Sequence, residues 1–310
     1  MEPVKGYFDY CISEQCLTTE DFIKTKKLLI ELGYRTIAIN QVLEEANLEP
    51  KKKKKKGEPR DVIDIVPAPV DVAKYQDSGV LKILNRLTII FSNQDIFNKI
   101  TKSPNYKKYH IIAILPLSQN AIHFACSNID ADILTYDPEN KISYKLTRKM
   151  YNQLVEKGFH YEILYSPVIQ DSTQRKNMIH TSHLYHSYGK SKNIIISSGA
   201  TSSILLRGPY DIINLGIIFG LSEEQAKNSI LHCGRNVYLN SPTRQAFHGN
   251  SLCTTIILFV VGRSRGKTIM FVENVCDTIE TSDRNEKENI VEDEDEEMEL
   301  EQPAQKKTKQ

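Results

Sequence analysis

The chain has 310 residues, with 40 Lys plus Arg against 39 Asp plus Glu, a net charge of +1 that at face value argues against a polyanion binder. The charges are segregated, however: 283–310 holds 11 acidic and 5 basic residues, leaving 35 basic against 28 acidic elsewhere, so a tail of −6 follows a body of +7. A 40% hydrophobic content with ordinary Gly and Pro excludes collagen-like, coiled-coil and wholly disordered classes, and the longest apolar run, Ile256 to Val261, is far short of the roughly 20 residues a spanning helix needs.

Charge asymmetry of this kind fits a polyanion-binding body with a solvated appendage, or a tail that only aids solubility. Met1 to Ile12, with Glu2 and Asp9 and no alanine-rich cleavage site, does not read as a secretory signal, so an intracellular protein with no membrane partner is expected. The six cysteines, at 11, 16, 126, 233, 253 and 276, contain no C-x-x-C and lie in apolar segments, as idle buried thiols do.

The first strand signal is Tyr7 to Ile12. Thr18 with Asp21 three residues on makes a capping box for a helix whose apolar stripe is Phe22, Leu28, Leu29 and Leu32, with Gly33 placed for a left-handed C-terminal cap. Further strands follow at Thr36 to Asn40, Leu87 to Phe91, Ile111 to Leu115, Asp132 to Thr135, Tyr161 to Tyr165 and Asn193 to Ser197. They are short, apolar and mostly non-alternating, as parallel strands buried on both faces should be. Leu146, Met150 and Leu154 define a helix with Ser143 as its expected N-cap and Gly158 beyond its end. Asp171 with Gln174 caps a second, running to about Tyr188 with Met178, Ser182 and Tyr185 on one side; Ser222 with Gln225 caps a third, with Ala226 and Ile230 inward.

Repeated βα units with no G-x-G-x-x-G turn predict a TIM-like β/α barrel of seven or eight parallel strands over residues 1–250. The eighth strand is open, because Pro209 to Phe219 reads equally as a helix started by proline. A lysine-rich insertion at about 49–74, including Lys51 to Lys56, interrupts the barrel. A β-rich hairpin is expected within 251–280, around Gly262 to Gly266, and an acidic disordered tail over 283–310.

Catalytic signals are sparse. His180, His183 and His186 are spaced by three and lack the i, i+4 pairing that sets two imidazoles on one zinc, so a solvated basic face is the expectation. Asp9, Asp132, Asp137 and Asp171 could hold magnesium only by converging. Ser197 to Ser202 follows the seventh strand, where barrels bind phosphate through loop N–H groups, and reads equally as an ordinary polar turn. Lys145, Arg148 and Lys149 lie opposite the apolar stripe of their helix. Arg175 and Lys176 sit in the first turn of the next long helix, where cations oppose the dipole by up to about 1 kcal/mol each unless an anion binds there. Lys190, Lys192, Arg207, Arg235 and Arg244 extend the set, and Tyr185 and Tyr188 could stack on unpaired bases.

Six ordered blocks carry a resemblance: Gly6 to Cys11, Gly33 to Asn40, Leu84 to Ile89, Tyr161 to Pro167, Asn193 to Ser198, and Leu206 to Asp211 continuing through Phe219 to Ser222. Over about Gly6 to Arg244 the sequence resembles the thirty-kilodalton protein subunit of eukaryotic and archaeal ribonuclease P and the related ribonuclease MRP. The resemblance implies a barrel related to the polymerase and histidinol phosphatase domain but without its metal site, in keeping with Phe8-Asp9-Tyr10 where His-x-His would stand. It further implies a noncatalytic RNA-binding subunit of a nuclear, nucleolar ribonucleoprotein that removes 5' leaders from precursor transfer RNA. In such a particle the RNA subunit cleaves, with magnesium bound there and no cofactor on this chain. The implied partners are ribonuclease P and MRP RNA, precursor transfer RNA and other protein subunits, especially a small one of ferredoxin-like fold. The implied RNA contacts are Arg148, Lys149, Arg175, Lys176 and Arg207, followed by Lys190, Lys192 and Arg244; Arg86, which opens a strand, could equally be a structural ion-pair partner. A metal-dependent phosphoesterase and a protein-only nuclear scaffold are the alternatives.

Overall fold

The computed structural model describes residues 6–17, 19–45, 64–75, 80–248, 259–264 and 267–272. Seven strands, β1 (Tyr7–Ser13), β2 (Tyr34–Glu44), β3 (Lys82–Phe91), β4 (Ile111–Pro116), β5 (Ile133–Leu134), β6 (His160–Leu164) and β7 (Ile194–Ser197), stand in sequence order in one sheet. Every neighbouring pair is parallel. The sheet curls until its edges meet: the Gly199 N–H donates to the Cys11 carbonyl at 2.8 Å, the Ser13 N–H to the Ala200 carbonyl at 2.9 Å, and Ile12 bridges Ala200. The result is a nearly closed barrel, with all seven expected strands present. The segment left open is α7 (Pro209–Ile218), a helix with proline at its first position, where the missing N–H would have had no intrahelical partner.

Helices α1 (Thr19–Glu31), α2 (Gln94–Thr101), α3 (Gln119–Asn128), α4 (Arg148–Glu156), α5 (Tyr165–Gln170) and α6 (Ser172–Gly189) lie in the connections. A helix returning between parallel strands starts at their C-terminal ends, the mouth of the barrel, and finishes at its floor. The caps follow the side-chain chemistry. Asp171 accepts from the N–H groups of Thr173 and Gln174 at 2.6 and 2.8 Å, and Ser222 with Gln225 closes a reciprocal box on α8 (Glu223–Ile230). The expected Ser143 cap is wrong. Thr147 caps α4, accepting from Met150 N–H at 3.3 Å, while Ser143 donates to the Leu117 carbonyl at 2.5 Å; Lys145 therefore precedes the helix rather than riding on it. The Thr18–Asp21 box and the lysine run lie outside the described residues.

Alternate strand residues point inward, and at the lower end of the barrel they are apolar: Phe8, Tyr10, Ala38, Leu84, Ile111, Ala113, Ile133 and Ile195 form one buried cluster. That cluster is closed from below by α9 (His232–His248), whose Val237 is fully buried in it. The Tyr10 hydroxyl donates to the Gly234 carbonyl at 2.5 Å, and a Cβ at Gly234 would stand 2.9 Å from Phe8, so only glycine allows this approach. Outside the barrel wall, the Tyr151 and Tyr161 rings stack at 4.1 Å, with Tyr185 4.8 Å from Tyr161. Gly189 makes room for this stack, since its Cβ would fall 1.8 Å from Tyr151.

The chain divides into two compact units, 1–251 and 252–310. In the second, β8 (Phe259–Ser264) and β9 (Lys267–Val272) pair antiparallel. The acidic tail lies outside the described residues.

Candidate nucleic-acid interface at the barrel mouth

Above the apolar floor the lumen turns polar. Arg86 on β3 and Glu162 on β6, both essentially inaccessible to solvent, form a bidentate pair at 2.5 and 2.7 Å. The guanidinium also donates to the Tyr10 carbonyl at 2.9 Å and to the Thr88 hydroxyl at 3.2 Å, and Thr88 in turn donates to Asn40 at 2.6 Å. Burial opposes ionisation of Glu162, but the adjacent guanidinium outweighs it and holds the carboxyl below its ordinary range. Asp9, also buried, accepts from the N–H groups of Cys11 and Ser198 at 3.2 and 3.0 Å; burial pushes its pKa up. Burial likewise pushes the Cys11 thiol up to about 12, which makes it an inert thiol rather than a nucleophile.

This donor set does not fit a hydrolytic metal. Both Glu162 oxygens are committed to Arg86, one Asp9 oxygen is committed to two backbone N–H groups, and a buried cation stands beside them. The other candidate carboxylates do not converge. Asp132 lies at the floor, accepting from Ile112 N–H at 2.9 Å; Asp137 is in the loop after β5, and Asp171 caps α6. No group of three His, Cys, Asp or Glu side chains gathers as a metal site among the described residues. His180, His183 and His186 lie along the exposed face of α6, as expected of solvated imidazoles.

The loop after β7 turns three of its N–H groups inward: Ser198 donates to Asp9, Gly199 to the Cys11 carbonyl and Ala200 to the Ser198 hydroxyl. Tyr185 cannot stack on a base, because it is 1% exposed and packed in the tyrosine cluster; Tyr188 also leans on the core.

The cations divide between the two ends. Arg148 and Lys149 open α4, Arg175 and Lys176 lie in the first turns of α6, and Arg207 follows β7, so all five belong to the mouth. Lys190 and Lys192 come after α6, at the floor, and both are exposed. Arg244 is in α9, with its side chain outside the described residues. Two of the mouth cations have structural duties. Arg175 donates to the carbonyls of Val168 and Ile169 at 2.7 and 3.4 Å, stabilising the end of α5, which offsets its unfavourable position in α6 without any anion. Arg207 donates to the carbonyls of Ile204 and Leu206 at 2.7 and 2.9 Å. Arg148, Lys149 and Lys176 are exposed, with no hydrogen bond or ion pair among the described residues.

Sequence reasoning misses Glu162. The signal is present: a single carboxylate inside the apolar strand Tyr161–Leu164 needs a buried counter-charge, and among the described strand residues Arg86 is the buried cation. It also misses the acid sensitivity built into His160, which is 3% exposed and whose pKa burial lowers to about 4 from 6.5. Both states are neutral above pH 6.5, so the fold keeps its full stability there; below it the unfolded chain takes up the proton first. Stability should fall by about 3 kcal/mol between pH 6.5 and 4, with His110, also lowered by burial, acting in the same window. Urea unfolding across that range checks this, and His160→Gln should flatten most of the slope.

Fold and site together define a parallel β/α barrel whose lumen is locked by a buried ion pair and whose mouth carries exposed cations. The family model for RNase P subunit p30 matches residues 6–246. The mouse ribonuclease P protein subunit p30 is 32% identical over 219 residues, covering 70% of this chain and 80% of that one. The ribonuclease P/MRP protein subunit RPP1 of Saccharomyces cerevisiae is 24% identical over 256 residues, covering 81% and 82%. Among solved structures, a chain of the cryo-EM structure of archaeal ribonuclease P with mature tRNA shares the fold, with a TM-score of 0.51 at 16% identity, over 83% of this chain and 100% of that one. The chain belongs to the RNase P subunit p30 family.

Proposed function

We propose that the chain is a noncatalytic, RNA-binding subunit of ribonuclease P, and of ribonuclease MRP as well, acting in the nucleus and nucleolus on precursor transfer RNA and ribosomal RNA. The observation that carries the noncatalytic part is the Arg86–Glu162 pair, which ties up both oxygens of a lumen carboxylate that a phosphoesterase would need for metal. The cleaving chemistry, and its magnesium, then belong to the RNA. The purified chain incubated with precursor transfer RNA in magnesium or manganese should release no leader; release by the wild-type chain that chelation of the metal abolishes would establish the phosphoesterase instead.

The RNA surface assigned to this role is the mouth, through Arg148, Lys149 and Lys176, with Arg175 and Arg207 adding charge from fixed positions. Lys190 and Lys192 would belong to a second, separate contact at the floor. Protein partners, above all the small ferredoxin-like subunit, are assigned to an apolar patch that begins beside Arg207. Tyr210, Ile217 and Ile218 lie on one side of α7 and are 74%, 55% and 55% exposed; Ile204 and Ile23, on the 3-10 turn Ser203–Leu205 and the adjoining α1, are 79% and 68% exposed. Large apolar side chains exposed together mark an association surface. Tyr210→Glu with Ile217→Glu should leave the melting temperature unchanged and weaken binding of the small subunit more than tenfold by calorimetry.

A further inference from the structure

A cleft of about 300 Å³ opens at the mouth between the loops that follow β4 and β5. Its walls are apolar where Leu117, Ile142, Tyr136 and Tyr144 line it and polar where Asn140 and Lys141 do; Leu117 is 44% exposed. The cleft is built in advance. Ser143 donates to the Leu117 carbonyl at 2.5 Å, so one loop is tied to the other. Gln119 and Lys145 exchange two hydrogen bonds, at 2.8 and 3.4 Å, and Asn177 of α6 holds the Pro138 carbonyl at 3.1 Å. The Tyr136 hydroxyl closes the loop on the Asn140 carbonyl. A site whose walls are fixed before binding spends little ordering entropy on its ligand.

Its surroundings name the ligand. Lys141 borders the cleft, Lys145 follows in the same loop, and Arg148 and Lys149 begin the helix that comes next. A partly apolar cleft flanked by cations suits a base turned out of a strand whose phosphates rest on those cations. Asp137, also on the lining, holds Glu139 N–H at 3.0 Å and Asn140 at 2.7 Å. A carboxylate there repels phosphate but can still accept from an exocyclic amino group. We infer that this cleft receives one unpaired, amino-bearing nucleobase of the RNA held at the mouth, giving the protein a preference for single-stranded or bulged adenine over uracil. The inference rests on the RNA-binding reading above and adds to it a defined subsite.

The test measures the affinity of the full chain for a ten-nucleotide oligoadenylate, an oligouridylate and a mixed-sequence duplex of equal length. The wild type should prefer oligoadenylate to oligouridylate. Leu117→Trp, which fills the cleft, should cost about tenfold on oligoadenylate and nothing on the duplex. Equal loss on all three probes, or no loss on any, would overturn the subsite while leaving RNA binding in place. Failure of the wild type to bind any probe would overturn the RNA-binding reading itself, and the subsite with it. Should Leu117→Trp fail to fold, the wild type decides: an oligoadenylate carrying 8-azidoadenosine should cross-link within 135–144, and cross-links confined to other segments would contradict the assignment.

Discussion

Replacing Glu162 with Gln should destabilise the barrel by about 3–5 kcal/mol, because it leaves the Arg86 charge buried without its counter-charge. For a domain of this size that lowers the melting temperature by roughly 10 °C, a change that a thermal scan resolves easily. The guanidinium cannot escape to water: it is 1% exposed, lies across the lumen, and is held by Tyr10 and Thr88 as well as by Glu162. Its alternatives are a poorer arrangement around the neutral amide that replaces the carboxylate, or a drift toward Asp9, whose own carboxyl burial already disfavours as an anion. Arg86→Met should cost a comparable amount for the converse reason. The double variant Arg86→Met with Glu162→Leu removes both charges and should cost less than the two single losses combined. The contribution of Glu162 is complete above its ordinary pKa of 4.5 and disappears only as the pH falls through its lowered value in the fold. A single-variant loss under about 1 kcal/mol would mean that water reaches the pair.

The second large effect concerns RNA. Changing Arg148, Lys149 and Lys176 together to Ala should weaken RNA binding by roughly 30-fold at low salt and reduce the slope of log affinity against log salt by about 2. These three are chosen because none supports the fold through a hydrogen bond or ion pair among the described residues, so the loss reports on phosphate contacts rather than packing. Arg175 and Arg207 are poorer probes, since each holds two backbone carbonyls and its removal would disturb the end of α5 or the turn before α7. Lys190→Ala with Lys192→Ala, at the opposite end of the barrel, tests the floor contact separately: if the mouth is the main RNA surface, affinity falls less than in the mouth variant and the salt slope drops by about 1. An equal loss in both variants would mean a diffuse electrostatic attraction with no defined face.

How far the sequence carries depends on the range of the interactions involved. The strands are readable because runs such as Ile111–Leu115 are apolar on both faces, a local signature of parallel pairing. Asp171 and the Ser222–Gln225 box are readable because capping needs only neighbours two or three residues away. Ser143 misleads for the same reason: Ser143 and Thr147 both precede the Met150 stripe as potential caps, and only contact with Leu117, 26 residues back, takes Ser143 away. The lumen cannot be read locally at all. Arg86 and Glu162 are 76 residues apart, and their meeting depends on barrel closure. The floor helix α9 escapes notice because its fully buried Val237 and the close-packed Gly234 make no apolar stripe. At the mouth, the cations are legible through the resemblance. That Arg175 and Arg207 are already occupied is not, nor that the loop after β7 turns the N–H groups of Ser198, Gly199 and Ala200 inward.

The most direct measurement is to recover the full-length protein from its own cells under native salt and sequence the RNA that accompanies it. Ribonuclease P RNA should be strongly enriched, with ribonuclease MRP RNA and precursor transfer RNA beside it, and much of that enrichment should be lost in the Arg148, Lys149 and Lys176 alanine variant. Recovery of the small protein partner with no enriched RNA would contradict it and leave a protein-only scaffold in its place.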